Sequence, residues 1–548
     1  MYFRIKKQKS KDGKVREYLC VAKSERNGKQ VKQKTLLNLG RLDQLKESGN
    51  LNRLAAKLNE LVGRQMLVDL TRDITPGWSK HFGVIQAFKG VWKKLDISRV
   101  LLQEEEISGK EFSFHEAILA MVINRLVKPS SKLETWRWKD RVYEPAWEPL
   151  NLQHFYRAMD YLLLRKNAIE EALLKRSGDL FGKQVDLVLF DTTTIKYWGE
   201  ASDSLLLKHG YSKEKRMDLR QVIIGVLMSQ DGFPLAHEVW EGNQSDIKSL
   251  KIVVSRLRDR YEINRVVIVC DRGMVSDKNL KEIEEAGYEY IVGVKMRSLD
   301  ASKKNVLLSM PGFEPVKENL WVKEQKLEGR RYLVCYNPVE AEYQAKQREY
   351  FKAIIEKKVA DYSFKDWIVK NGYRKYINLE GKDFQITMDY ERLEEEPIYD
   401  GKWVLLTNSP YSSRECALYY KSLSQVEQGF RVLKKEIQTG PIYHWTTRRI
   451  QGHVFICFLA LVVKVAFKKS LQALNPGAIC SEVIQALKDV KAMKFKVKDQ
   501  VLIMRAELPE LAYLGFQASG IRIPGEILYL SPESVVPTSS PIDVTSSK

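Results

Sequence analysis

At 548 residues the chain is several times the length of a single domain, so two to four domains and a sizeable core are expected. Apolar residues make up 44% and aromatics 10%, with 17 prolines and 31 glycines, a balance that excludes a low-complexity chain. Lysine and arginine number 90 against 70 acids, and the net charge of +20 points to a polyanionic partner and salt-dependent association.

The excess is uneven. Residues 1 to 40 carry twelve basic and three acidic side chains, a net +9, on short β-like runs (YFRIKK, EYLCVAK, KQVKQKTLLNLG) parted by the turn signals Asp12-Gly13 and Asn27-Gly28. A basic β module is expected over 1–41. From Leu42 to about Leu70 the apolar positions recur at helical spacing. A helical, aromatic-rich region continues to 182, with one helix through Phe114 to Leu126, a break at Lys128-Pro129-Ser130-Ser131-Lys132, and another helix over Tyr161 to Leu174. Trp136 and Trp138 beside Arg141 suit DNA contact, but aromatics at helical spacing more often face a core.

From Val185 the pattern turns to α/β. VDLVLF predicts a strand, RQVIIGVLMS and PLAHEVWEG a hairpin around Asp231-Gly232, Ser245 to Arg260 a helix, RVVIVC a strand, Ser276 to Ala286 a helix and YEYIVGVKM a strand. Between 297 and 400 the alternation stops in favour of β-rich sequence around a charged helical stretch, and GKWVLLTNS then resumes the sheet. Ser412-x-x-Glu415 is a capping box opening the helix that carries Glu427. After Gly440 a loop and a buried helix are expected, and the tail after Leu530 reads as disordered.

Three carboxylates stand out. Asp191 and Asp271 each end an apolar run, where a mixed sheet presents ligands. Glu427 lies seven residues from both Tyr420 and Lys434, which on one continuous helix puts all three on a single stripe. Two strand acids and one helix acid are what a two-metal phosphoryl-transfer site needs, since hard divalent cations take oxygen ligands. The plain alternatives are a turn or cap for each aspartate and a surface i,i+4 pair with Arg431 for Glu427.

On these residues the chain resembles the DDE transposases of bacterial insertion sequences, in the branch with the signature Y-x2-R-x3-E-x6-K and a β-rich insertion ahead of its glutamate. Here that signature reads Tyr420, Leu423 in place of arginine, Glu427 and Lys434. The resemblance covers about residues 185 to 465 and implies an α/β, ribonuclease-H-like catalytic core over 183–296 and 401–470, interrupted by the insertion over 297–400, with a C-terminal region over 471–548. The region 42–182 then corresponds to DNA-binding helices. The resemblance further implies that Asp191, Asp271 and Glu427 hold two Mg²⁺ ions, with Mn²⁺ as a substitute, about 3.5 to 4 Å apart. Tyr420, Arg431 and Lys434 would hold substrate phosphates, Arg431 supplying the guanidinium that Leu423 lacks. The partners implied are the element ends and target DNA, bridged by a homodimer. A structure-selective nuclease on the same fold, and a DNA-binding regulator with a vestigial site, are the rival readings.

Other chemistries find little support. Six scattered cysteines without a C-x-x-C suggest neither zinc nor disulfides and fit a reducing cytoplasm, where a transposase would work on the nucleoid. The start MYFRIKKQKSKDGK lacks a signal peptide's apolar region. The apolar run Val454 to Val463 is broken by Lys464, shorter than the ~20 residues of a membrane span, and reads as a core helix. No phosphate-binding G-x-x-x-x-G-K-[ST] loop occurs, so no nucleotide cofactor is expected.

Overall fold

Alternating polar and apolar residues with glycine turns set the start of the chain, where β1 (Tyr2–Lys9), β2 (Val15–Asn27) and β3 (Gln30–Arg41) pair as an antiparallel meander. The structure is a computed structural model and describes residues 1–10, 13–27, 30–61, 71–108, 111–181, 187–199, 203–210, 218–244, 267–270, 277–285, 287–358, 376–380, 385–498 and 500–532. The expected helix Ser245 to Arg260, Asp271, and the tail beyond 532 lie outside the described residues.

Two compact units emerge from the contacts, one built on Met1–Ser79 with Met493–Met504 and the last strand, the other on Lys80–Ala492 with Arg505–Glu526. In the first, β1 is exposed along its whole length, as a strand rich in lysine can be. The helices Leu42–Glu47 and Asn50–Leu61 follow. The stretch from Thr75, expected to be helical, opens instead with β4 (Ile74–His81).

In the second unit, helices Gly83–Lys94, Ile97–Ser108, Phe114–Val127, Lys132–Lys139, Leu152–Leu164 and Lys166–Phe181 make a helical layer. The single helix expected over Tyr161 to Leu174 is two, divided at Arg165. Trp138 is buried against Trp147, ring centroids 6.1 Å apart, so it serves the core. Helix Thr447–Leu474 packs against helices Phe114–Val127 and Leu152–Leu164. Its apolar stretch is mostly buried, so this long helix is the core of the layer.

The catalytic layer is a nine-stranded sheet. Its strands are β5 (Leu187–Lys196), β6 (Gln221–Ser229), β7 (Pro234–Glu241), β8 (Val267–Cys270), β9 (Glu289–Val294), β10 (Glu314–Lys317), β11 (Leu320–Leu327), β12 (Arg330–Tyr336) and β15 (Lys402–Thr407). The hairpin β13 (Ile377–Glu380) and β14 (Gln385–Met388) stands apart as a two-stranded sheet. Spatial order across the large sheet is β10-β11-β12-β15-β9-β8-β5-β6-β7. β5, β6 and β7 are antiparallel neighbours, while β5, β8 and β9 run parallel. That order, with three antiparallel strands followed by two parallel ones on the far side of the first, is the ribonuclease-H-like arrangement.

Of the strands expected in the inserted stretch, β13 and β14 form a sheet of their own, while β10, β11 and β12 join the large one. β15 pairs antiparallel with β9, and β12, β11 and β10 continue outward from it. Glu328 and Gly329 both have positive φ, at 50° and 74°, and close the β11–β12 hairpin in the geometry its right-handed twist demands. At the chain's end β16 (Lys491–Val497), β17 (Gln500–Arg505) and β18 (Ile527–Pro532) form a sheet with β4, in a region where the sequence reading foresaw no strands.

Candidate active site

Asp191 does not end its strand. The β-branched run Thr192-Thr193-Thr194-Ile195 keeps β5 paired with β6 as far as Lys196, so Asp191 sits mid-strand opposite Val226. Its parallel neighbour β8 is described over Val267–Cys270. Asp191 lies two residues beyond Leu189, the last described β5 residue paired with β8. The side chain is half-buried, and its Oδ1 accepts the N–H of Thr192 at 2.7 Å. The pairing Leu187 with Val267 and Leu189 with Val269 keeps a constant offset along the two strands. Cys270, the last described residue before Asp271, is fully buried opposite Val292 of β9.

Glu427 is exposed on a helix that packs against β5 and β6. The approach is close because glycines stand where side chains would collide: a Cβ at Gly429 would strike the Met228 side chain of β6, and one at Gly232 the Gln425 side chain. Gly232, at φ +77°, also makes the β6–β7 turn. The continuous stripe expected from Tyr420 to Lys434 is broken in two places. Helix Ser413–Ser422 ends at Leu423, helix Ser424–Arg431 begins there, and a π-helical turn spans Val432–Glu436, closed by the Ile437 N–H to Val432 C=O bond of 2.9 Å. Tyr420 and Lys434, both half-buried, thus flank Glu427 from different helical segments, and Arg431 is exposed at the end of the middle one. Single π turns of this kind are frequent at functional sites.

Leu423 explains the first break. It is 6% exposed, turned into the core at the junction, where its N–H bonds Tyr420 C=O at 3.1 Å in a tighter turn. An apolar residue here anchors the helix by burial.

The inserted strands hold the start of helix Ser413–Ser422, so the capping box expected to open the Glu427 helix opens the helix before it. The Ser412 capping box forms as expected, Ser412 Oγ accepting the Glu415 N–H at 3.3 Å while Ser412 N–H donates to Glu415 Oε2 at 2.9 Å. Arg331 of β12 donates from Nη1 to the carbonyls of Ser409 and Tyr411, at 2.9 and 2.7 Å, and from Nη2 to Glu324 of β11 at 2.7 Å. Glu324 also accepts the Ser413 hydroxyl at 2.7 Å. The Arg331 hydrogen bond brings the Glu324 carboxyl down to about 2, against the opposing effect of burial and with help from Ser413. Sequence reasoning missed this brace, which joins residues more than seventy positions apart with no local pattern to mark it.

Among the described residues no group of three His, Cys, Asp or Glu side chains forms a metal-holding cluster, and Asp271 is not among them. Asp191 and Glu427 offer only carboxylate oxygens, a donor set that fits a hard divalent cation and not zinc held by sulfur or imidazole.

Comparison with known proteins bears on the same stretches. Residues 3–68 match the family described as "IS1634 family transposase, N-terminal domain", and residues 184–463 match "Transposase DDE domain". No curated protein matches the chain. The piggyBac transposase, solved as a synaptic complex with hairpin DNA, is similar at a TM-score of 0.36 and 9% identity, over 74% of this chain and 79% of that one, a likeness too slight to assign residues. With just over half of its length in the DDE match and its N-terminus in a second transposase family, the chain belongs to the DDE transposases of insertion sequences, metal-dependent enzymes that cut and transfer DNA strands.

Proposed function

We propose that the protein binds the terminal inverted repeats of its element and cuts and joins DNA with two Mg²⁺ ions held by Asp191, Asp271 and Glu427, Mn²⁺ serving as a substitute. The observation that carries this reading is the seating of the Glu427 helix across β5, the strand of Asp191. Asp271 enters through its place in the sequence. It follows Cys270 directly. It also stands two residues beyond Val269, as Asp191 stands two beyond its partner Leu189.

Bound there, the ions would supply Lewis-acid activation of the attacking oxygen and charge balance at the leaving oxygen. The chain's own part is to orient. Arg431 and Lys434 offer positive charge to the non-bridging oxygens of the phosphate, and Tyr420 offers a hydroxyl donor. In the first step water displaces the 3′ oxygen at the element end, breaking one P–O bond and leaving a free 3′-hydroxyl. In the second that hydroxyl, losing its proton, attacks a target phosphate in line, so that one P–O bond forms as another breaks and the count of phosphodiesters is conserved. No covalent link to the protein is required.

Two copies, each holding one end, would bring the paired ends to one target, and the reaction would take place in the cytoplasm on the nucleoid. The test is a strand-transfer assay with duplex carrying the element ends, Mg²⁺ and target DNA. Joined products from the wild-type chain, lost in Asp271→Asn and Glu427→Gln, are the expected outcome. Cleavage without joining would instead support a structure-selective nuclease, and cleavage surviving Asp271→Asn would remove that residue from the site.

A further inference from the structure

A cavity of about 690 Å³ lies in the second unit between the Lys128–Lys132 break and the loop that follows the π turn. Its charged lining is Arg125, Lys132 and Arg449, and no aspartate or glutamate borders it. Lys132 is the first residue of helix Lys132–Lys139 and only 3% exposed. Among the described residues it has no hydrogen-bond or ion-pair partner. Burial, with Arg125 adding to the effect, lowers its ammonium to about 7. Such a buried, unpaired cation is costly unless an anion arrives.

The other groups around it are already committed or wait for a partner. Arg449 pairs with Asp160 at 2.9 Å, and Arg125 donates to the Gln438 carbonyl at 3.1 Å. His453 Nε2 lies 2.9 Å from the Thr439 carbonyl, a contact that requires the proton on that nitrogen and leaves Nδ1 as a buried acceptor without a partner. At the rim Tyr443 and Trp445 are 66% and 56% exposed, large rings facing solvent beside a cationic cavity. A planar base over such rings, with its phosphate inside, satisfies both features.

The cavity is also tied to the catalytic strand. Ile442 N–H bonds the Lys196 carbonyl at 2.9 Å, and Trp198 N–H bonds the Ile442 carbonyl at 2.8 Å, fastening the loop to the end of β5. From Asp191 to Lys196 is five residues of strand, roughly 17 Å at about 3.3 Å each. Along DNA that distance is on the order of five nucleotide rises of 3.4 Å.

We infer that this cavity is a DNA subsite, in which Lys132 receives one backbone phosphate a few nucleotides from the cut while the adjoining base rests on Trp445 or Tyr443. This rests on the chain acting on DNA at the β5 edge. It adds a specific contact outside the three carboxylates and the phosphate-holding side chains beside Glu427.

The test uses the full chain and element-end duplexes in which single phosphates, scanned along the strand, are replaced by neutral methylphosphonates. Wild-type affinity, read by fluorescence anisotropy, should fall on the order of tenfold at one position about five nucleotides from the cut. Lys132→Met should bind the unmodified duplex about tenfold more weakly and lose nothing further at that same position. Gln153→Glu, which puts a carboxylate on an exposed position at the cavity wall, should weaken binding several-fold even if Lys132→Met does not fold. Additive losses at every position, or no change in Gln153→Glu, would overturn the subsite while leaving the transposase reading intact. Failure of the wild-type chain to bind any element-end duplex would overturn recognition of the ends and the subsite together.

Discussion

The two halves of the nine-stranded sheet are built differently. In β7-β6-β5-β8-β9 the strands are mixed, and the central strand β5 carries Asp191 mid-strand opposite Val226. In β15-β12-β11-β10 every pairing is antiparallel, and the half contributes no proposed metal ligand. Its contribution is Arg331 and Glu324, which hold the start of helix Ser413–Ser422, the segment that leads into the Glu427 helix. The inserted strands are thus continuous with the large sheet through backbone hydrogen bonds, and they cover the edge that β15 would otherwise expose. The new outer edge, β10, is four residues long with Pro315 and a register shift, features that discourage pairing with another chain. On the proposed mechanism the first half would supply the chemistry, while the second braces the segment that leads into the Glu427 helix.

If that division holds, the largest effect belongs to the first half. Glu427→Gln and Asp191→Asn should each lower strand cleavage on the order of 10³-fold, the loss of several kcal/mol of charge stabilisation at about 1.4 kcal/mol per tenfold. Thermal melting should be unchanged for Glu427→Gln, because the side chain is exposed. A variant with wild-type cleavage would break the comparison at its root. Next comes Gly225→Val on β6, opposite Thr192. A Cβ there meets the Trp240 ring at 2.5 Å and the Phe190 ring at 2.9 Å, so overpacking should cost about 1–3 kcal/mol, read as a lower denaturation midpoint.

Arg331→Met tests the second half directly. Losing the fork that binds two carbonyls and Glu324 should let the Glu427 helix shift, and misplacement by about 1 Å can cost on the order of 10²-fold in rate. The expected signature is a ten- to hundredfold drop in cleavage with DNA affinity nearly unchanged. Lysine should not restore the rate, since one ammonium cannot reproduce the planar fork. A wild-type rate in Arg331→Met would reduce the inserted strands to a passive cover.

These two halves were not equally legible in the sequence. β6, β8 and β9 are buried almost end to end, so each is an apolar run bounded by turns and could be read directly. The far end of β5 was hidden because three threonines look like a loop until β6 is there to pair with them. The strand β4 was hidden by Pro76-Gly77, a turn signal overridden by a partner more than four hundred residues away. The carboxylate Glu427 and the Ser412 capping box were visible, whereas the break between helices at Leu423 and the π turn after Arg431 were not. No glycine or proline marks the break, where Leu423 is buried in the core. A seven-residue spacing therefore identified the segment but overstated how straight it is.

The smallest predicted effect isolates the charge in the brace. Glu324 has its carboxyl at about 2 in the folded chain, against 4.5 for the free side chain, because Arg331 and Ser413 hydrogen-bond its charged form. A folded-state value below the unfolded one means stability that is present above about 4.5 and lost as pH falls toward 2, where both states are protonated. The pair is a third exposed on the glutamate side, so water and salt reduce its worth to about 1 kcal/mol or less. In Glu324→Gln the melting temperature should therefore drop by about 1 °C or less at pH 6. The gap should narrow through pH 4 and close near pH 2, measured as the difference between variant and wild type so that other titrating groups cancel. Added salt at pH 6 should shrink it as well. A gap that stays constant with pH would mean that Glu324 acts by packing alone, and the brace would then rest on the two carbonyl bonds of Arg331.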